Sequence, residues 1–301
     1  MANTLVNPYA DARGTWVRGS FHGHCREHSG CSSVPLAESV RDYERIGAQF
    51  LAVTDHDHVT DLAAVRADHP DMILLDGFEY SRGENVLFIG GGAEDVLELP
   101  LREAAARADE LLTILCHPQP GPGEEYWTIE KIRSLLGRTP DGIEVYNGHY
   151  GIDRMVDAGC RPLYTRLWDE FLTAGIRVWG FANDDFHEPA DFDNAFNMVL
   201  VKEMTERAVI DAAKRGRFYA STGLLLERIG LGDGRIEVVT AAPCVGRFVG
   251  PGGAILSEAD GTRFEYTVGD EGYIRFEGKG ASGLLFLQPM FQSAAAGWPA
   301  E

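Results

Sequence analysis

Five short segments collect histidines and carboxylates at the points where apolar runs stop. In FHGHC, His22 and His24 stand two residues apart. Residues i and i+2 of an extended chain point to the same side, so both imidazoles can reach one ion. In FLAVTDHDH an apolar run ends abruptly in Asp55, His56, Asp57 and His58. Four ionisable residues cannot continue a buried strand and must open into a cleft or into solvent. In ILLDGFEY, Glu79 follows a strand and a glycine, where a carboxylate can bridge two cations. In LLTILCHP, His117 ends another apolar run, and Pro118 stops further pairing. In FANDDFHEP, Asp184, Asp185 and His187 come directly after a strand, with Asp185 and His187 again two apart. Each segment alone also fits a solvated loop. Together they place ligating side chains at the ends of five different strands, and that coincidence points to a metal site.

The elements that must position these groups alternate. Strands are expected at Trp16–Phe21, Phe50–Thr54, Met72–Phe78, Val86–Ile89, Leu112–Cys116, Gly142–Tyr146 and Val178–Phe181. Between several of them lie amphipathic segments. In the first, Leu36, Val40, Tyr43 and Ile46 recur at helical spacing and Gly47 can close the helix. Residues 101–110, 128–137, 161–174 and 204–215 also read as helical. This alternation implies an α/β protein with a mainly parallel sheet, open or closed into a barrel. In α/β barrels the active site lies at the C-terminal ends of the strands. After Gly223 helical periodicity disappears. Short β-like runs separated by Gly-rich turns follow, so the expected division is a domain over 1–223 and a small antiparallel β domain with a tail over 224–301.

The chain has 301 residues and a formal charge of −19. A surface this acidic repels a phosphate backbone, and no Lys/Arg cluster suggests a basic groove, so nucleic acid is not an expected partner. No apolar run is long enough to span a membrane, and the first residues carry neither a basic start nor an apolar stretch of a secretory signal. A cytoplasmic location and a small-molecule substrate are the expectations; the oligomeric state is left open. The five cysteines have no paired spacing, which fits free thiols.

The motifs FHGHC, AVTDHD, GFEYS, CHP and NDDFH, in this order, resemble those of the PHP (polymerase and histidinol phosphatase) superfamily over residues 14–223. The segments GTWVRGSFHGHC, GRFYASTG and GYIRFEGKG…LFLQPMF look more specifically like the CehA/McbA-type metallohydrolases, which join a PHP barrel to a C-terminal β extension. The resemblance implies a distorted (β/α)7 barrel holding one to three divalent ions, Zn, Mn or Fe. It implies that His22, His24, Glu79 and Asp185 hold one ion, that Glu79 bridges to a second also bound by His117, and that His56 and His187 serve a further position. Two departures bear on that last position. The first motif continues as CREHSGCSS, without the family's Asp, leaving His28 or Cys31 to substitute or the place vacant. Asn85 stands where many members have a histidine.

The chemistry so implied is hydrolysis by a metal-bound hydroxide. A two-ion site with two acidic ligands keeps net positive charge, which suits a phosphoester; an ester, amide or carbamate is the alternative, as is a barrel that binds metal without turnover. Asp185, His58 and His149 are candidate proton-transfer groups, with Asp55 also considered. Arg18, Asn147 and Tyr126 are candidate substrate contacts, with Tyr126 and Trp127 as an aromatic wall. Asp57 and Asp184 are candidates for orienting imidazoles.

Overall fold

The computed structural model describes residues 5–10, 13–119, 121 and 127–292. The chemistry-bearing half begins with β2 (Thr15–Ser20), after a short edge strand β1 (Leu5–Val6). It continues through β3 (Phe50–Val53), β4 (Ile73–Tyr80), β5 (Val86–Ile89), β6 (Leu112–Leu115), β7 (Gly142–Asn147) and β8 (Trp179–Asn183), and then β9 (Phe196–Val201) and β10 (Phe218–Ser221). Every residue of β3, β5, β6 and β8 is buried. That is the pattern of strands covered on both faces, where hydrophobic runs need not alternate.

The sheet is mixed rather than mainly parallel. β2–β3, β3–β4, β6–β7 and β7–β8 pair parallel, whereas β4–β5, β5–β6, β2–β9 and β9–β10 pair antiparallel. The reason at β4–β5 is chain length. The link Ser81–Asn85 is far too short for a parallel crossover, which needs a dozen residues or more. β9 and β10, two strands the residue pattern did not single out, bring an antiparallel pair against β2.

Helices pack on the sheet by their apolar stripes. Leu36–Arg45 buries Ser39, Val40 and Tyr43 and is closed by Gly47 at φ 78°. Glu206–Lys214 is capped by Thr205, whose side chain accepts from Ala208 N. The stretch after Thr128 is three residues of α-helix followed by a π-turn over Ile132–Leu136, ended by Gly137 at φ 70°. Two glycines are required by close approach: a Cβ at Gly19 would collide with Phe50, and one at Gly142 with Phe181.

Beyond Lys214 the described residues form no α-helix. The strands β11 (Leu226–Gly232), β12 (Arg235–Gly250), β13 (Ala254–Thr267), β14 (Tyr273–Gly280), β15 (Gly283–Leu287) and β16 (Met290–Gln292) pair antiparallel. They remain continuous with the first half, because β15 pairs with β10 and β16 with β1. A buried ion pair also ties β14 to the helix Thr165–Thr173. Asp169 accepts from Arg275 Nε at 2.7 Å, from Arg275 Nη2 at 2.6 Å and from the Tyr273 hydroxyl at 2.9 Å.

β8 ends the run of paired strands, yet its outer edge is not bare. The Asn197 side chain accepts from Ala182 N at 3.1 Å and donates to Ala182 O at 2.7 Å. Gln288 likewise accepts from Gly180 N and donates to Gly180 O, each at 2.8 Å. Two side-chain amides thus do for β8 what a neighbouring backbone would, satisfying buried peptide groups. Gln288→Leu keeps the volume and removes both partners. It should destabilise the chain by about 1–3 kcal/mol for each orphaned group of Gly180, measured by denaturant unfolding; unchanged stability would show that this edge is met by something else.

Candidate metal centre

The five motifs meet. The chain from Phe21 to His24 runs between the ends of β3 and β8: Thr54 N donates to Gly23 O at 2.9 Å, His24 N to Phe186 O at 3.0 Å and Asp185 N to His22 O at 3.2 Å. This stitching turns His22 and His24, both almost fully buried, onto one point. Their Nε2 atoms lie 3.2 Å apart, and each is 3.1 Å from Asp185 Oδ1. Glu79 Oε2 is 3.5 Å from His22 Nε2 and 3.4 Å from His24 Nε2, while Glu79 Oε1 is 3.1 Å from His117 Nε2. His56 and His187 join from the other side of His24, with ring centroids 4.4 Å and 4.2 Å from it. Four sets of candidate ligand atoms result among the described residues, each within 4.8 Å of one another: His22, His24 and Asp185; His22, Glu79, Cys116 and His117; His24, His56 and His187; and His149, His187 and Asp191.

The partners behind the imidazoles decide which nitrogen faces inward. His22 Nδ1 donates to Glu144 Oε1 at 2.9 Å. His24 Nδ1 lies 3.3 Å from Ser29 Oγ, whose own proton goes to Asp55 Oδ1 at 2.6 Å. His187 Nδ1 donates to Asp185 O at 2.7 Å. With these tautomers two Nε2 lone pairs and two carboxylate oxygens point at one small volume. That arrangement is repulsive unless a cation fills it. Glu79 Oε2 shows the same need, being buried and without a hydrogen-bond partner among the described residues. His56 Nδ1 is 2.9 Å from it, but makes its hydrogen bond to Ser81 Oγ at 2.7 Å.

Protons answer the demand in the metal-free protein. Burial opposes charging His22, but Asp185, Glu144 and Glu79 outweigh it and raise its pKa well above the usual value. Burial, with His187 nearby, pushes His24 down to about 3. Burial also opposes ionising Glu79, yet His22, His117 and His56 hold it well below the ordinary carboxylate range. A buried set of imidazoles and carboxylates that attracts positive charge this strongly fits a divalent ion of the Zn, Mn or Fe type. His22, His24, Asp185, Glu79, His117, His56 and His187 are the residues able to hold it.

The outer layer differs in part from the residue-pattern expectation. Asp57 and Asp184 contact no imidazole. Asp57 takes Ser81 N and Arg82 Nε, both at 3.2 Å. Asp184 braces the loop after it, accepting from Tyr43 OH at 2.5 Å, Asp193 N at 2.9 Å and Ala195 N at 2.7 Å; burial raises its pKa to about 7. Asp184 and Asp185 diverge: Asp184 is committed to the loop after it, and Asp185 turns to His22 and His24. The orienting carboxylates are Glu144, Asp55 through Ser29, and Asp191. Glu144, fully buried, also accepts from His117 N at 2.7 Å, Asn147 Nδ2 at 2.8 Å and Asn183 Nδ2 at 3.0 Å. A carboxylate amid the apolar residues of GIEVYN was its signal in the sequence. Asn85 donates to Glu79 Oε1 at 2.8 Å, so it positions the carboxylate rather than ligating.

Of the substrate and proton-transfer candidates, Asp185 is in the cluster and His149 lies beside it. His149 Nδ1 is 3.0 Å from Asp191 Oδ1, and its ring centroid is 4.7 Å from that of His187. His58 lies outside the ligand sets and stacks on His28 at 4.0 Å. Asn147 is fully buried and donates to both Glu144 and Asp185 Oδ2, which makes it a support for Asp185 rather than a substrate contact. Arg18 is paired with Asp193 and lies over the Phe196 ring. Trp127 is fully buried, donating to Asn85 O at 2.9 Å, and forms no exposed wall. Tyr126 lies outside the described residues.

Glu144→Gln should weaken divalent-ion affinity by about 10–100-fold, the usual cost of losing an orienting partner behind a ligand. Competition against a chromophoric chelator measures it, and an unchanged affinity would show that Glu144 does not fix the His22 ring.

No protein-family profile matches this chain, and no curated protein does. Among solved structures, a two-domain protein from Bacteroides vulgatus, described as containing a predicted PHP-like metal-dependent phosphoesterase, superposes with a TM-score of 0.57 at 18% identity, over 96% of this chain and 99% of that one. A lesion-specific endonuclease from Pyrococcus furiosus gives a TM-score of 0.47 at 17% identity, over 66% of this chain and 56% of that one. An amidohydrolase from Chromobacterium violaceum gives 0.38 at 16%, over 57% and 88%. These two are too distant to carry an argument. The first match spans both halves, so this chain shares the overall fold of that two-domain protein, and within that fold the five motifs meet at one site.

Proposed function

We propose that this chain is a metal-dependent hydrolase acting on a small-molecule phosphoester. The observation that carries the reading is the convergence of His22, His24, Asp185 and Glu79 ligand atoms on one buried volume, where Glu79 Oε2 has no hydrogen-bond partner among the described residues. In this reading β2 to β9 form a distorted barrel whose last gap, between β8 and β9, is closed by Asn197 and Gln288. Residues 1–223 are its barrel unit and 224–301 the appended β unit.

His22, His24, Glu79 and Asp185 would hold one ion, Glu79 and His117 would hold a second, and His56 and His187 would serve a third position where the first motif lacks its carboxylate. Bound there, such ions would supply Lewis acidity and bring the pKa of a bound water down to about 7. The residues around them do the rest. Asn147 fixes Asp185, Asn85 fixes Glu79, and Glu144 fixes His22. Asp191 holds His149 with its other nitrogen available to move a proton to a leaving oxygen. A surface cavity of about 410 Å³ is lined by Gly151, Ile152, Asp153, Arg154, Glu188 and Asn194, residues close in the chain to His149 and His187. The anionic substrate class follows from charge. Two dications against two carboxylate ligands leave the site positive, while the chain's net charge of −19 disfavours a polyanion such as nucleic acid.

The test is a substrate panel of aryl phosphomonoesters, phosphodiesters, carboxylic esters and carbamates, before and after chelation and with Zn, Mn or Fe restored. Metal-dependent turnover of a phosphoester is expected, and His22→Ala and Asp185→Ala should lose metal and turnover together while circular dichroism is retained. Turnover of carboxylic esters or carbamates alone would replace the phosphoester assignment. Full activity in both variants would remove the site.

A further inference from the structure

Among the buried thiols that the mechanism above leaves unused, that of Cys116 lies against the cluster. Cys116 follows β6 and directly precedes His117. Regular alternation would send adjacent side chains to opposite sides of the strand. His117, however, sits at φ 23°, on the positive side that L-residues seldom adopt. That turn breaks the alternation and brings both side chains to the same place. The Cys116 sulfur falls within 4.8 Å of the ligand atoms of His22, Glu79 and His117. All four residues are buried, Cys116 and Glu79 completely. The thiol's hydrogen bond to Ile114 O is long, at 3.7 Å. Glu79, the carboxylate of this set, also calls for a cation: its Oε1 reaches His117 Nε2 at 3.1 Å, while its buried Oε2, turned toward His22 and His24, has no hydrogen-bond partner among the described residues.

We propose that Cys116 is a thiolate ligand of the ion shared by Glu79 and His117. This rests on the metal-centre reading above and adds a donor type to it. Coordination exchanges the S–H bond for a sulfur–metal bond and releases one proton to solvent; no electron moves. A sulfur donor beside imidazole and carboxylate turns this position toward Zn, Fe or Co and away from Mg and Mn. The neighbouring position, held by His22, His24 and Asp185, keeps only nitrogen and oxygen donors. The two positions therefore differ in the ions they prefer.

Cobalt distinguishes the cases. The chain, stripped by chelator and titrated with Co²⁺, should show a near-ultraviolet sulfur-to-cobalt charge-transfer band alongside the visible ligand-field bands. Cys116→Ser should lose the first and keep the second. Cys31→Ser, which removes the exposed thiol, should keep both. Visible bands without charge transfer in the unaltered chain would overturn the thiolate and leave the metal centre standing, as would loss of the band in Cys31→Ser alone. No cobalt uptake would overturn both. Should Cys116→Ser fail to fold, X-ray absorption of the zinc-loaded Cys31→Ser chain decides instead. A sulfur shell at about 2.3 Å supports the proposal, and only nitrogen and oxygen at about 2.0–2.1 Å refutes it.

Discussion

Three carboxylates, Glu79, Glu144 and Asp185, are sealed from solvent within reach of His22, and much of the architecture follows from keeping them there. An unpaired buried carboxylate is among the most expensive groups a protein can hold. Each of the three is therefore tied down. Asn85 and His117 engage Glu79; Asn147, Asn183, His22 and the His117 backbone engage Glu144; Asn147 and His24 engage Asp185. Asn147 links the last two and holds their spacing. What these ties leave open is a small volume bounded by lone pairs, and positive charge completes it.

Backbone shape serves the same end. Of the five described non-glycine residues at positive φ, three belong to the site's own motifs: Asp57, His117 and Asp185. Strained conformations of this kind persist where the surroundings over-determine them, and they cluster at functional sites. Here each occurs where an apolar strand gives way to ligating side chains. A straight strand would present alternate residues only; the turn at His117 is what allows neighbouring side chains to face one point.

The second half of the chain contributes support rather than ligands. Gln288 satisfies Gly180 on the strand that leads to Asp185, and Arg275 with Tyr273 anchors the helix through Asp169. The site's geometry thus depends on residues more than a hundred positions away from the groups they steady.

The sequence by itself marked the segments whose histidines and carboxylates come together. Histidines and carboxylates that end apolar runs break the hydrophobic pattern, and the i, i+2 spacing of His22 with His24 and of Asp185 with His187 puts each pair on one side of an extended chain. The resemblance of the five motifs to a known superfamily then implied His22, His24, His56, Glu79, His117, Asp185 and His187 as ligands, and the structure brings these side chains together. Tertiary structure decided what spacing cannot encode. Glu144 lies mid-strand, and only the curvature of the sheet shows that its face looks at His22. Asn147 reads as a polar residue at a strand end, yet burial commits its amide to two carboxylates. His58 belongs to the same motif as His56 but turns outward onto His28. The mixed strand directions likewise arose from link lengths and from β9 folding back against β2. Local patterns report which side of its own element a residue faces; what it meets there is set by elements far off in the chain.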